Sequence, residues 1–137
     1  MIWIIIHGSV LLIALIIGVR NLAIGFGRTP RRPFPLLLHK KLGFWFIILT
    51  GVGILAGYLI KKTVANNNRI LLPLGHNKVF VFILIFLALL MLSGFLRSRH
   101  FHRLRWFQKL HEWFGLILLA LYFAQFFGVI GRFLKLI

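Results

Sequence analysis

Among the side chains that do chemistry, this 137-residue chain offers six histidines, a single acid (Glu112) and neither cysteine nor aspartate. Neutral imidazole presents a nitrogen lone pair to a transition metal without adding charge, so histidine is the residue to follow. One acid makes no carboxylate pair, no Ser-His-Asp set, no oxygen cage for a hard cation and no acidic proton relay. Without cysteine there is no disulfide, thiolate zinc site, iron–sulfur cluster or covalently attached c-type haem. No glycine-rich phosphate loop follows a strand pattern either.

The elements that must position the histidines are apolar. Hydrophobic residues make up 61% of the chain and mean hydropathy is +0.97, more apolar surface than a soluble core of this size can hide. Four blocks of about 20 residues can each cross roughly 30 Å of hydrocarbon as a helix. They run from Ile2 to Val19, Leu36 to Ile60, Val79 to Leu96 and Trp113 to Ile130. Polar connections separate them, with Pro30, Pro33 and Pro35 in the first and Asn66-Asn67-Asn68 and Pro73-Leu74-Gly75 in the second. The expected fold is all-α, a single-domain integral membrane four-helix bundle of up-down-up-down topology. The opening Met1-Ile2-Trp3 has no basic n-region and no cleavage signature, so the first block reads as a retained anchor.

Charge sets the orientation. Of the 17 basic residues, 11 fall on the side of the first and third connections and 6 on the other, which places both termini on the non-cytoplasmic side. The net charge of +16 lies between apolar blocks rather than on polar amphipathic segments, which favours anionic lipid or an anionic cofactor over nucleic acid. The basic segment from Arg97 to Leu110 sets Phe101, Leu104, Phe107 and Leu110 near one stripe and reads as interfacial, with Trp106 at headgroup depth.

Four histidines, His7, His39, His76 and His111, each fall near the N-terminal end of a different block. Successive helices run in opposite directions, so His7 and His76 share one membrane face and His39 and His111 the other. Two facing imidazoles on diagonal helices can supply both axial nitrogens of a haem iron, and the arrangement occurs twice. Two b-type haems held this way would lie roughly 20 Å apart along the membrane normal. Their propionates call for cations, which Lys40 and Lys41 supply beside His39, Lys78 two residues past His76, and the segment from Arg97 to Arg105, with Arg103 and Arg105, ahead of His111. The motif H-x-x-x-G occurs at His39/Gly43 and His111/Gly115, where a glycine one turn deeper on the ligand's own face leaves room for a macrocycle. Gly57 and Gly128 reach the outer level, and Gly94 the inner level, on the helices that would flank the other haem.

Other readings stay open from the residues alone. Interfacial histidines also bond to headgroups, and small residues in membrane helices also serve close packing. His100 and His102 form an H-x-H pair that reads either as a metal site or as a substitute for His111. Thr50, Tyr58, Ser93, Tyr122 and Gln125 read mainly as helix-packing polar groups, with haem edges as the other use.

Taken together, His7, His39, His76 and His111, the two H-x-x-x-G motifs and the stretch from Arg103 to Arg132 with its Trp106-Phe107-Gln108-Lys109-Leu110-His111 entry resemble the cytochrome b561 superfamily. In length and layout the chain is also similar to small bacterial four-helix membrane proteins of a family without an assigned function. The resemblance covers nearly the whole chain and implies a four-helix core with one haem-ligating histidine per helix and haems shared by alternate helices. Long-established members carry two further helices, and their absence here counts against ascorbate or ferric-chelate reduction. The function expected is electron transfer across the membrane, from a quinol or a redox protein, rather than stand-alone catalysis. The alternatives are an accessory subunit of a larger respiratory or photosynthetic complex, with or without haem, and a haem-free basic anchor binding anionic lipid or an acidic partner.

Overall fold

The computed structural model describes residues 2–27, 33–65, 76–99 and 105–133. These form four helices: α1 (Ile2–Phe26), α2 (Leu36–Ala65), α3 (His76–Arg99) and α4 (Arg105–Phe133). All four are long and apolar enough to cross a membrane, and the described residues contain no strand. The chain is an all-α, multi-pass membrane protein. Pro30, the Asn66-Asn67-Asn68 and Pro73-Leu74-Gly75 runs, His100, His102 and Arg103 lie outside the described residues, as do the side chains of His76 and Lys78.

Each helix outruns the apolar block that predicts it. α1 continues past Arg20 to Phe26 because no proline interrupts it, and the amide of Gly27 still donates to the carbonyl of Ala23 at 2.9 Å. α4 begins at Arg105, so the C-terminal half of the basic interfacial segment is the first turn and a half of a spanning helix. Trp106 there is exposed and packs on Phe107, with ring centroids 4.0 Å apart, which suits headgroup depth.

The start of α2 is built from Pro33-Phe34-Pro35. The carbonyl of Pro35 accepts the amide of His39 at 3.0 Å, closing the first helical turn with Pro35 in the capping position. The Phe34 ring, just before that cap, packs on the His39 ring at 5.3 Å. This is the geometry of a hydrophobic staple, and it fixes where His39 emerges.

The chain divides into two compact units, 1–73 and 74–137, each built on a helical hairpin. In the first, α1 packs antiparallel on α2. Ala14 and Leu15 of α1 and Phe46 and Thr50 of α2 are buried, and a Cβ added at buried Gly53 would collide with Leu11. Small residues let the backbones approach closely, the usual route to cohesion where lipid removes the hydrophobic drive. In the second, α3 and α4 also run antiparallel. Ile83, Leu87 and Ser93 of α3 and Leu118, Leu119 and Tyr122 of α4 are buried, and Phe86 meets Phe114 edge-on at 6.2 Å. Many large apolar side chains point outward, among them Leu37, Ile16, Leu55 and Phe127, as contact with lipid requires.

Candidate functional site

His7 sits in the second turn of α1, half-buried against α2. Its Nδ1 lies 2.8 Å from the carbonyl oxygen of Gly53. A carbonyl only accepts, so Nδ1 carries the hydrogen. The ring reaches that carbonyl because Gly57 has no side chain: a Cβ there would stand 2.7 Å from Cε1 of His7.

His111 sits in the second turn of α4 and is held by α3 in a parallel manner. Its Nδ1 lies 3.0 Å from Oγ of Ser93, and that hydroxyl donates to the carbonyl of Leu90 at 2.9 Å. With its proton committed to Leu90, Ser93 accepts from Nδ1–H of His111. The adjoining Gly94 makes the room, since a Cβ there would lie 3.2 Å from Cε1 of His111.

His39, half-buried near the start of α2, has its Cε1 3.7 Å from where a Cβ on Gly25 of α1 would stand. One turn away, Nδ2 of Asn21 lies 3.2 Å from where a Cβ on Gly43 would be. Oδ1 of Asn21 is buried with no hydrogen-bond partner among the described residues. A buried amide oxygen left without a partner costs about 1–3 kcal/mol.

These contacts share one register. Leu11 meets Gly53 and His7 meets Gly57; Gly25 meets His39 and Asn21 meets Gly43. Four residues back along α1 match four forward along α2, so each histidine of the hairpin rests on a glycine near the far end of the other helix. The spacing behind this is visible in the sequence: Gly25, Gly57 and Gly94 each follow His7, His39 and His76 by 18 residues. Eighteen residues are five full turns, so histidine and glycine share a helix face at opposite membrane levels. In α4 the spacing from His111 to Gly128 is 17, and a Cβ at Gly128 would meet open space.

Over Gly57 and Gly94, expected to flank a haem, lies the imidazole of the neighbouring helix. Gly43, expected to face a macrocycle, faces the Asn21 amide, and Gly115 is half-buried. Ser93, read as a packing residue, bonds both a helix carbonyl and a histidine. Asn21, Gly25 and Gly53 went unmarked because an amide and two glycines in apolar runs carry no signal until the register is known. Lys40, Lys41 and Arg105 are exposed at the starts of α2 and α4, open to an anionic group at the surface.

Each expected histidine pair, His7 with His76 and His39 with His111, takes one member from each hairpin; the structure defines the surroundings of His7, His39 and His111 within their own hairpins. Among the described residues no three His, Asp or Glu side chains gather into a metal cage, a finding that leaves two-ligand axial coordination untouched. Glu112 accepts a hydrogen bond from Nε2 of Gln108 at 2.7 Å along its own helix. No family model, curated protein or solved structure matches the chain.

Proposed function

We propose that the chain is a transmembrane di-haem b-type cytochrome that carries single electrons between the two faces of the membrane. The observation that supports this is how the imidazoles are held: Nδ1 of His7 lies 2.8 Å from the Gly53 carbonyl and Nδ1 of His111 3.0 Å from the Ser93 hydroxyl, contacts that suit the tautomer in which Nε2 ligates iron. A histidine that only met headgroups would not need a glycine-floored notch and an intramembrane acceptor.

In this reading His7 and His76 would hold one haem at the outer face and His39 and His111 the other at the cytoplasmic face. The pairing rests on alternating helix direction. A b-type haem held by two imidazoles supplies one-electron chemistry at its iron. The chain's residues orient the ligands, with Gly53 and Ser93 fixing the tautomer and Gly57 and Gly94 admitting the rings. Lys40, Lys41, Arg103 and Arg105 are the cations for propionates, and the apolar seams keep the site dry. A quinol in the bilayer or a soluble redox protein is the donor, and both termini lie outside the cytoplasm.

Optical spectroscopy on the purified full chain tests the reading. A Soret band and a dithionite-reduced α-band corresponding to about two haems per chain are expected. A colourless preparation would end it. His39→Ala and His111→Ala should then abolish the same centre and spare the other, whereas loss of one shared centre by His7→Ala and His39→Ala would refute the pairing.

A further inference from the structure

The two histidines whose tautomer is defined are held by chemically different acceptors. His7 donates to Gly53's carbonyl, a main-chain group that also takes the helical amide of residue 57 and that no side-chain substitution removes. His111 donates to a side-chain hydroxyl, and Ser93 offers that hydroxyl from a buried position on α3. The oxygen acts purely as an acceptor toward the ring because its own hydrogen points to the Leu90 carbonyl. Were the hydroxyl turned toward His111 instead, two oxygens 2.9 Å apart would face each other without a proton between them.

We infer that Ser93 is a positioning residue for His111: its hydroxyl oxygen selects the Nδ1–H tautomer and so sets how strongly Nε2 donates to a metal. An acceptor on Nδ1–H shifts electron density toward Nε2 and makes the ring a more basic ligand, which favours ferric over ferrous iron. The chain Leu90 carbonyl, Ser93 hydroxyl, His111 imidazole polarises in one direction, and each link strengthens the next. Removing the middle link weakens the ligand without removing it. The redox consequence rests on the haem reading; the tautomer itself does not.

Ser93→Ala and Ser93→Thr in the full chain decide the matter. Threonine keeps the hydroxyl and alanine keeps the helix. If the purified protein carries haem, a potentiometric titration of Ser93→Ala should raise one midpoint and leave the other in place. The expected change is roughly tenfold in the ferric-to-ferrous ratio at fixed potential, about 59 mV for a one-electron couple. Ser93→Thr should return it toward the parent value. Two unmoved midpoints, or two moved equally, would overturn the inference.

If the protein is colourless the haem reading fails, and side-chain 15N NMR of histidine-labelled protein still tests the positioning role. His111 should be Nδ1-protonated in the parent and in Ser93→Thr, and a tautomer mixture in Ser93→Ala. The same mixture in all three would overturn it.

Discussion

The imidazole of His7 reaches across the α1–α2 seam to the carbonyl oxygen of Gly53, 2.8 Å away, and lies over Gly57 one turn farther along the same helix. Acceptor and notch are thus separated by four residues of α2. The Gly53 carbonyl already takes the amide of residue 57 in the helical ladder, so the histidine bonds to the free side of an acceptor whose neighbourhood only a glycine leaves open.

Gly57→Ala should separate folding from ligation. The new methyl would stand 2.7 Å from Cε1 of His7, and the ring, at the end of a rotatable side chain, swings away and loses its bond to Gly53. That loss costs about 1 kcal/mol. Alanine's helix propensity returns about as much. Thermal stability in detergent should therefore change by less than about 1 kcal/mol while one haem is lost or becomes high-spin. Gly94→Ala, with 3.2 Å to His111, should act in the same direction and more weakly. Unaltered spectra in both variants would remove the notches from the account.

Gly53 and Gly51 form a matched pair in α2. A Cβ at Gly53 would stand 2.8 Å from Cγ of Leu11, whereas one at Gly51 meets nothing within 4 Å. Gly53→Val should cost about 1–3 kcal/mol by forcing the seam apart. Gly51→Ala should be neutral or stabilising by up to about 1 kcal/mol. Denaturation of both variants in one detergent measures the contrast, and equal effects would mean that the α1–α2 register differs from the one described.

Glu112 is the chain's one acid, and its role is local. Gln108 donates to it at 2.7 Å one turn away along α4, a pairing worth about 0.2–0.5 kcal/mol. Glu112→Gln preserves an acceptor oxygen, so haem content, midpoints and melting should all stay at parental values. A loss of electron transfer at unchanged haem content would instead give this carboxylate a part in proton movement.

The excess of basic residues on the side of the first and third connections predicts that both termini face away from the cytoplasm. A reporter active only in the cytoplasm should be silent when fused at residue 137 and active when the chain is truncated after residue 99. The reverse pattern would invert the topology and exchange the faces assigned to the two histidine pairs.

Partition into lipid depends on composition along a single segment, which is why the membrane spans were legible before any packing was known. The blocks Leu36–Ile60 and Val79–Leu96 coincide with the spanning segments of α2 and α3, while the ends of α1 and α4 shifted because Arg20 and Arg105 are good helix formers that hydropathy counts against a span. The four histidines were equally legible, each a costly polar group near the start of an apolar run. What they touch was not. That Gly57 lies under His7, Gly25 under His39 and Ser93 beside His111 depends on helix register and rotation. Contacts such as Leu11 against Gly53 set both, and small residues of this kind read alike in sequence whether they face a partner helix or lipid. The Nδ1 partners of His7 and His111 follow from that register, because the neighbouring helix provides each acceptor.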